Sequence, residues 1–271
     1  MGRFLCVFLA CFLALAPLHG QAIINGGGGG GSVANLTSFG TYASLPACGS
    51  SEQIYFFTSG VYTHAFCDGA SAWHYFAFGV EVTPPSGLST WRNQGSAAVD
   101  ATDGFVYLSG PASATSAFRI REMNTPATPF TITLGFLVSA LGGDNNGTGL
   151  MVVQSSDDKT IFFHAQDNQA TANAGSLELF VINKYTSIST YSATDYIVNQ
   201  PQAAGSPLWL RYADNGTNRT WSFSTNGRSF ITAHTETRTT FLTADKIGVA
   251  IDNQSDNKCC PHGTFFHWKV E

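Results

Sequence analysis

Residues 220–231 read TWSFSTNGRSFI, and this stretch decides the fold. Apolar and polar side chains alternate on both sides of Asn226 and Gly227, which is the pattern of two half-buried β-strands joined by a turn. An Asn-Gly pair favours a hairpin turn because both of its residues tolerate a positive φ. The stretch therefore predicts two neighbouring antiparallel strands.

The same pattern of strand-like runs and turns extends along most of the chain. Short runs with strand character are separated by turn residues, and no long segment has the 3.6-residue period of a helix. The predicted strands are 90–94, 105–108, 117–122, 130–138, 149–154, 160–165, 177–184, 208–212, 220–224, 230–234, 246–251 and 264–270. The chain is therefore predicted to be all-β, and residues 83–271 to form an antiparallel two-sheet jelly-roll sandwich.

The end of the chain shows the same alternation. Residues 265–270 read FFHWKV. Because side chains alternate along a strand, Phe266 and Trp268 are predicted to share one face, with Phe265 and His267 on the other. Aromatic residues of this kind are expected mainly to fill the space between two sheets.

An aromatic-rich segment, residues 39–82, precedes the sandwich. Its short runs are separated by glycines and predict a small β-meander of three strands. The prolines in residues 83–87 mark its end, since consecutive prolines cannot continue a central strand. Three short strands enclose little core, so we expect a disulfide between Cys48 and Cys67, or trimerisation through this module, to stabilise it.

The first 38 residues carry two further signals. Residues 1–22 hold one positive charge, a short apolar run and small residues near Ala22, which predicts a secretory signal peptide and an extracellular protein. Residues 23–38 contain six consecutive glycines and predict a flexible linker. An exported chain favours disulfides, and Cys259-Cys260 is left either as a vicinal disulfide or as two free thiols.

Composition excludes several classes of protein. The chain is 44% hydrophobic and 11% charged, which is typical of a packed globular domain rather than a disordered one. Its net charge is −5, and its 13 Lys and Arg residues are scattered, so nucleic acid is not an expected partner. No segment beyond the leader is long and apolar enough to span a bilayer, and we expect no membrane partner.

Three segments of the C-terminal half point to a known superfamily. They are residues 208–219 (LWLRYADNGTNR), 222–227 (SFSTNG) and 240–249 (TFLTADKIGV). In order and character they resemble the closing half of a concanavalin A-like lectin/glucanase sandwich, also called laminin G-like. The resemblance implies a fold more than an activity, because this superfamily holds lectins, carbohydrate-binding modules, glycosidases and adhesion domains.

The N-terminal part has a resemblance of its own. The glycine run, residues 39–46, the turn at 69–73 and residues 83–85 are similar to phage-tail and environmental proteins that place a small adaptor before such a sandwich. Together the two resemblances cover residues 26–271. The chain departs from the phage-tail pattern because it has an export signal and four cysteines outside that signal. This departure counts against a role in a phage tail but does not affect the prediction of a sandwich.

A sugar-binding site needs an aromatic plane and a few groups that hydrogen-bond to hydroxyls. The candidates are Trp209, Trp221, Arg211 and the loop 142–147, which contains Asp144, Asn145 and Asn146. The loop also has the oxygen-rich character of a calcium site, although Asp144 is its only acid. The alternatives are that the loop is a plain hairpin turn and that the chain carries no cofactor.

Sequence motifs for catalysis are missing. The 18 acidic residues contain no pair at alternate positions, which is how a strand would place two carboxylates for glycoside hydrolysis on one face. No nucleophile elbow, zinc-protease motif or phosphate-binding loop occurs. We therefore expect a secreted, non-catalytic carbohydrate-binding or adhesion module. The alternatives are a structural or receptor-binding component of a fibre or phage-tail-like assembly, and a glycoside hydrolase whose carboxylates come from distant strands.

Overall fold

The computed structural model describes residues 35–49, 52–58, 62–70, 72–101, 103–111, 118–137, 146–167, 177–198, 205–252 and 262–271. The predicted signal peptide and the glycine run lie outside these residues, as do Cys259 and Cys260. The described residues form strands and one short 3-10 turn at Tyr42–Ser44, and they contain no α-helix. The all-β prediction is confirmed.

Nineteen strands are present in the described residues. The first five are β1 (Asn35–Gly40), β2 (Glu52–Phe57), β3 (His64–Asp68), β4 (Trp73–Ala77) and β5 (Val80–Val82). The next seven are β6 (Thr90–Arg92), β7 (Ala98–Asp100), β8 (Val106–Ser109), β9 (Arg119–Asn124), β10 (Phe130–Leu137), β11 (Gly147–Gln154) and β12 (Lys159–Asp167). The last seven are β13 (Leu177–Ser187), β14 (Thr190–Val198), β15 (Pro207–Asp214), β16 (Asn218–Ser224), β17 (Ile231–Thr237), β18 (Lys246–Asp252) and β19 (His262–Val270).

These strands make three sheets. The small sheet has the order β1-β2-β3-β4-β5, and β1 is parallel to β2 while the other pairs are antiparallel. The front sheet has the order β17-β16-β15-β10-β19-β8-β7, and the back sheet β14-β13-β12-β11-β18-β9-β6. The front and back sheets are antiparallel and form the predicted sandwich. The small sheet has five strands where the sequence predicted three.

The main core fills the space between the front and back sheets. Alternate residues of each strand point inward, for example Leu134 and Tyr212 from the front sheet and Val152 and Val249 from the back sheet, all fully buried. Each such side chain stabilises the fold by about 1.5–3 kcal/mol when it leaves water. This layer of aliphatic and aromatic residues holds the two sheets together.

The small sheet packs on the outer face of the front sheet. Tyr62, Ala77 and Val82 form a buried cluster with Trp209 and Phe266 of the front sheet. The Tyr62 hydroxyl donates a hydrogen bond to the Phe266 carbonyl, with an O···O distance of 3.0 Å. The small sheet and the sandwich therefore share an apolar junction, which we call the junction cluster.

A bulge in β19 decides which face Phe266 joins. Phe136 pairs with Phe265 and Gly135 with His267, so the register shifts by one residue at Phe266. Phe265 and Trp268 belong to the main core, whereas Phe266 lies in the junction cluster. The predicted grouping of Phe266 with Trp268 is wrong, because strict alternation fails where an extra residue enters a strand.

The Asn226-Gly227 turn joins β16 and β17 as an antiparallel hairpin, as predicted. Only Gly227 has a positive φ, of 69°, so this is not the tight two-residue turn that the pair favours. The Asn226 side-chain Oδ1 accepts hydrogen bonds from the backbone N–H groups of Arg228 and Ser229, at 2.9 and 3.0 Å. This side-chain capping supports a longer loop in place of the tight turn.

The predicted disulfide is confirmed. Cys48 and Cys67 are bonded, and their Cα atoms lie 5.5 Å apart. The bond ties β3 to the segment before β2. It supplements the limited core of the small sheet, as expected for a module of this size.

Candidate binding groove between the small sheet and the sandwich

An open groove of about 330 Å³ lies where the small sheet meets the front sheet. A volume of this size is at the lower end of the about 300–1,000 Å³ typical of small-molecule sites. Its described lining residues are Phe78, Gly79, Val80, Pro207, Trp209, Thr225, Asn226 and Arg228. The groove therefore combines aromatic, amide, hydroxyl and guanidinium groups.

Phe78 forms one wall of the groove from a strained turn. Phe78 and Gly79 connect β4 to β5 as a two-residue turn, with φ values of 52° and 77°. Such turns favour Asn, Asp or Gly at the first position, because a positive φ is costly for a bulky residue. The Phe78 side chain is 43% exposed, and its ring packs on Phe266 of the junction cluster with centroids 5.1 Å apart, so packing takes up only part of the ring.

Trp209 forms the floor. Its side chain is only 2% exposed, and its ring packs edge-on against Phe266 with centroids 5.6 Å apart. The Phe78 ring meets Trp209 at 86°, with centroids 6.5 Å apart. Gly227 gives the indole its space, since a Cβ there would lie 2.8 Å from Trp209 Cε2. The two aromatic rings thus stand at right angles along the groove.

The opposite wall is polar. Arg228 donates a hydrogen bond from Nη2 to the Gly79 carbonyl at 2.6 Å and so connects the loop after β16 with the turn of the small sheet. The Asn226 Oδ1 is occupied by backbone donors, but its Nδ2 has no hydrogen-bond partner among the described residues. The wall therefore offers free N–H donors to a ligand in the groove.

Arg211 lies outside the described lining of the groove, on the same strand as Trp209. It projects from the outer face of β15, two residues after Trp209, and its guanidinium carbon is 3.6 Å from the centroid of the Phe230 ring. Its Nε donates to Thr133 Oγ1 at 3.2 Å. Partial burial lowers the pKa of Arg211, and the charge of Glu271 acts in the opposite direction. The guanidinium is thus held over an aromatic ring.

The structure separates the residues that the sequence grouped as one site. Trp209 lines the groove and Arg211 lies two residues beyond it on the same face of β15, outside the described lining, while Trp221 is fully buried in the main core. Trp221 is withdrawn as a ligand-binding candidate, because its position on β16 points between the sheets. Asp144 and Asn145 lie outside the described residues, and Asn146 is 1% exposed at the start of β11.

Sequence reasoning did not identify Phe78, Asn226 or Arg228 as site residues. The turn at Asn226 was recognised, but a turn residue gives no indication of what it faces. The sequence carries no signal for Phe78, because its positive φ is seen only in the structure and tight turns favour Asn, Asp or Gly at this position. The missing information was that the turn lies beside a loop 149 residues further along the chain.

A second cluster of charged groups lies between the open edges of the two large sheets. Asp195 on β14 and Glu236 on β17 face each other, and Lys184 is ion-paired with both; its Nζ lies 2.9 Å from Glu236 Oε2. Arg219 completes the cluster with an Nη2 to Glu236 Oε1 distance of 2.7 Å. His234 Nε2 lies 3.7 Å from Asp195 Oδ2. These five residues are called the edge cluster below.

The edge cluster brings together two carboxylates from distant strands, which was the condition for the glycoside hydrolase alternative. Their oxygen atoms lie within 4.8 Å of each other. The Lys184 ammonium, however, lies between Asp195 and Glu236, where a sugar carbon would have to bind. None of these residues lines the groove or a second cavity, which lies between Gly87 and Lys246. The geometry is that of an ion-pair network and not of a nucleophile and an acid facing a substrate.

The same cluster includes the Asp195, His234 and Glu236 set that has the donor types of a metal site. Lys184 supplies the positive charge at its centre, so the carboxylates are already neutralised. The other such set, Cys48, Cys67 and Asp68, has both of its sulfur atoms in the disulfide. In neither set are all three ligand atoms free to bind a metal ion.

Two histidines are buried and uncharged. His164 lies on the outer face of the back sheet, stacked on Phe162 with centroids 4.0 Å apart, and its ring fits over Gly147. Burial lowers the pKa of His164 to about 4. His267 Nδ1 accepts a hydrogen bond from the Thr83 N–H at 2.7 Å, and burial lowers its pKa to about 4 as well. These histidines have structural roles.

No protein-family model and no curated protein matches this chain. Solved structures do match it. A functionally unknown protein from Saccharomyces cerevisiae is 15% identical over 69% of this chain and 98% of that chain, with a TM-score of 0.49. The GH43 BlXynB protein from Bacillus licheniformis is 11% identical over 64% of this chain, with a TM-score of 0.50. The carbohydrate binding module CBM66 from Bacillus subtilis is 12% identical over 70% of this chain and 96% of that chain, with a TM-score of 0.37.

These similarities concern the fold. The chain spans 34% of the length of the Bacillus licheniformis protein, and the likeness between the two supports a β-sandwich and nothing further. Among the described residues, no helix is long and apolar enough to cross a membrane.

Proposed function

We propose that this chain is a secreted, non-catalytic carbohydrate-binding or adhesion module that binds a sugar chain in the groove between the small sheet and the sandwich. The observation that carries the proposal is Phe78, an exposed aromatic ring held in a costly backbone conformation beside Trp209. Strain of this kind is retained at functional positions more often than elsewhere. We interpret the ring as a platform for a ligand.

The lining of the groove fits the chemistry of a sugar. The C–H face of a pyranose packs on an aromatic ring, and its hydroxyls take hydrogen bonds from amide and guanidinium groups. Phe78 and Trp209 supply the apolar surfaces, and Asn226, Thr225 and Arg228 supply the polar groups. The open shape of the groove suits a chain that extends beyond it at both ends.

We also propose that the sandwich belongs to the concanavalin A-like lectin/glucanase superfamily and that residues 1–22 direct export. Two seven-stranded antiparallel sheets support the first proposal. The Cys48–Cys67 disulfide supports the second, because such bonds persist in oxidising compartments. Calcium at the loop 142–147 remains a separate proposal, and measuring unfolding with and without the ion tests it.

Replacing Phe78 tests the binding proposal. Phe78→Asn removes the ring but suits the positive φ better, so we expect folding to be retained and glycan binding to weaken about tenfold. The measurement is binding to a glycan array, followed by calorimetry on the best ligand. Tyr191→Ala is the matched control, since Tyr191 is 52% exposed on the edge of the back sheet. Equal binding by wild type and Phe78→Asn would contradict the proposal.

A structural or receptor-binding role in a fibre or phage-tail-like assembly is the second candidate. The face of the small sheet that points away from the sandwich carries Phe56, His64 and Phe76 in one row, with the His64 and Phe76 rings stacked at 4.7 Å. These side chains are half-buried, and such a face favours self-association.

Light scattering on the full chain tests this second role. A trimer that becomes a monomer in Phe56→Ser and Phe76→Ser variants is the expected result for an assembly through the small sheet. Tyr191→Ser is the control, because it removes an exposed ring from another sheet. A wild-type monomer at high concentration counts against a fibre.

A further inference from the structure

Arg211 and Arg228, like Arg119 and Arg121, form no ion pair among the described residues, whereas Arg92, Arg219 and Arg238 do. Arg92 is bound to Glu122 at 2.8 Å and Arg238 to Asp214 at 2.8 Å. Arg211 and Arg228 have no carboxylate within salt-bridge distance among the described residues. Their only hydrogen-bond acceptors in this part of the chain are the Thr133 hydroxyl and the Gly79 carbonyl. Each guanidinium retains N–H donors for a ligand.

The described lining of the groove is free of negative charge, although the Glu271 carboxylate acts on Arg211 from nearby. No carboxylate occurs among its described lining residues, although the chain as a whole carries a net charge of −5. Glu81, on the strand next to Gly79, points to the opposite face of the small sheet and binds His74 at 2.8 Å. Glu271 is paired with Lys269 at 2.6 Å. The groove is thus a positive site on an acidic protein.

Arg211 and Arg228 are placed to act on one ligand. Arg228 lines the groove, and Arg211 lies over Phe230, two residues further along the same loop. Trp209 and Arg211 share one face of β15, so their Cα atoms are separated by two strand residues, or about 7 Å. A sugar that stacks on the aromatic rings would therefore lie within reach of both guanidinium groups.

We infer that the groove recognises an anionic glycan, in which a carboxylate or sulfate group on the sugar is bound by Arg228 and Arg211. This inference rests on the proposed function and names its ligand class. A guanidinium matches the planar geometry of a carboxylate and the oxygens of a sulfate with two parallel hydrogen bonds. Partial desolvation of Arg211, next to Phe230, strengthens its attraction to an anion.

Matched polymers test the inference, because the two members of each pair differ in whether one kind of anionic group is present. The first pair is polygalacturonate and its fully methyl-esterified form, and the second is chondroitin sulfate and chemically desulfated chondroitin. We expect the full chain to bind at least one charged polymer ten times more tightly than its masked partner, and the difference to shrink as salt is raised. The first pair reports on carboxylate and the second on sulfate.

Variants then assign the selectivity to residues. We expect Arg228→Gln to lower the affinity for the charged polymer about tenfold and Arg228→Lys to restore part of it, since a charge-assisted hydrogen bond is lost and then partly replaced. Arg119→Gln is the control, because Arg119 is a partly exposed arginine without an ion pair whose Nη1 donates to the Asn93 carbonyl. The ratio of charged to masked affinity is the readout, and a merely structural role for Arg228 would not change it.

The outcomes separate this inference from the proposed function. Equal binding of charged and masked polymers, with sensitivity to Phe78→Asn, overturns the inference and leaves the proposed function intact. Charge selectivity that is unchanged in Arg228→Gln and Arg211→Gln also overturns the inference. A failure to bind any neutral or charged glycan overturns both.

Discussion

Lowering the pH from 7 to 4 is expected to remove about 6 kcal/mol of stability from this fold, because His164 and His267 stay uncharged in it. Both have a pKa of about 4 when folded, against 6.5 when unfolded. Between these values the unfolded chain binds two protons that the folded chain does not, so stability falls as the pH falls. Each histidine contributes about 3 kcal/mol, and the loss is complete below pH 4.

Local contacts explain why the folded chain resists these protons. His267 uses Nδ1 to accept the Thr83 N–H, and a proton on that atom would remove the bond that links the end of the small sheet to β19. His164 is fully enclosed beside Phe162, where a charge would lose its water without gaining a carboxylate. His74 is opposite in sign, because Glu81 and Asp68 raise its pKa. Its exposure makes that contribution small.

Urea unfolding at a series of pH values measures this effect. Wild-type stability should fall steeply between pH 6.5 and pH 4, and His164→Gln should show about half of that slope. His74→Gln is the control and should keep the wild-type slope. A wild-type stability that is flat from pH 7 to pH 5 would show that the two histidines are protonated in the folded chain.

The strands of the sandwich were largely readable from local sequence. All twelve predicted strands are present, because buried strands alternate apolar and polar residues or carry continuous apolar runs. The strands at Ala98–Asp100 and Thr190–Val198 were missed. Both lie at sheet edges, and Tyr191 and Ile197 of the second are each 52% exposed, so the burial pattern that reveals a strand is absent there.

The groove and the edge cluster could not be predicted from local sequence patterns. Alternation indicates that Trp221 and Phe223 share a face, but it does not say whether that face is the core or the surface. The side chains of the groove come from a turn at residue 78 and a loop at residue 226, and no local pattern connects them. Phe266 joined the junction cluster through a bulge, which no sequence pattern marked.

At the open side of the sandwich, the space between the two sheets is filled by the ion pairs of the edge cluster and not by apolar side chains. β14 ends the back sheet and β17 ends the front sheet, and their charged side chains point into the gap between the two. Inward-pointing charges protect edge strands from pairing with other chains. Arg219 is the member whose loss leaves the most contacts unmade. Its side chain is fully buried and also donates hydrogen bonds to the carbonyls of Thr240 and Leu242.

Arg219→Met is therefore expected to destabilise the protein by about 3–5 kcal/mol, because it leaves Glu236 with one cation fewer and removes the side-chain donor of the Thr240 and Leu242 carbonyls. Thermal unfolding measures this as a fall in Tm of about 6–15 °C. Lys269→Met is the control, since Lys269 and Glu271 form an exposed pair whose loss costs about 0–1 kcal/mol. The double variant Arg219→Met with Glu236→Gln should lose less than the sum of its parts, because neutralising Glu236 removes the uncompensated charge. A cost for Arg219→Met no larger than that for Lys269→Met would mean that the cluster does not hold the two edges together.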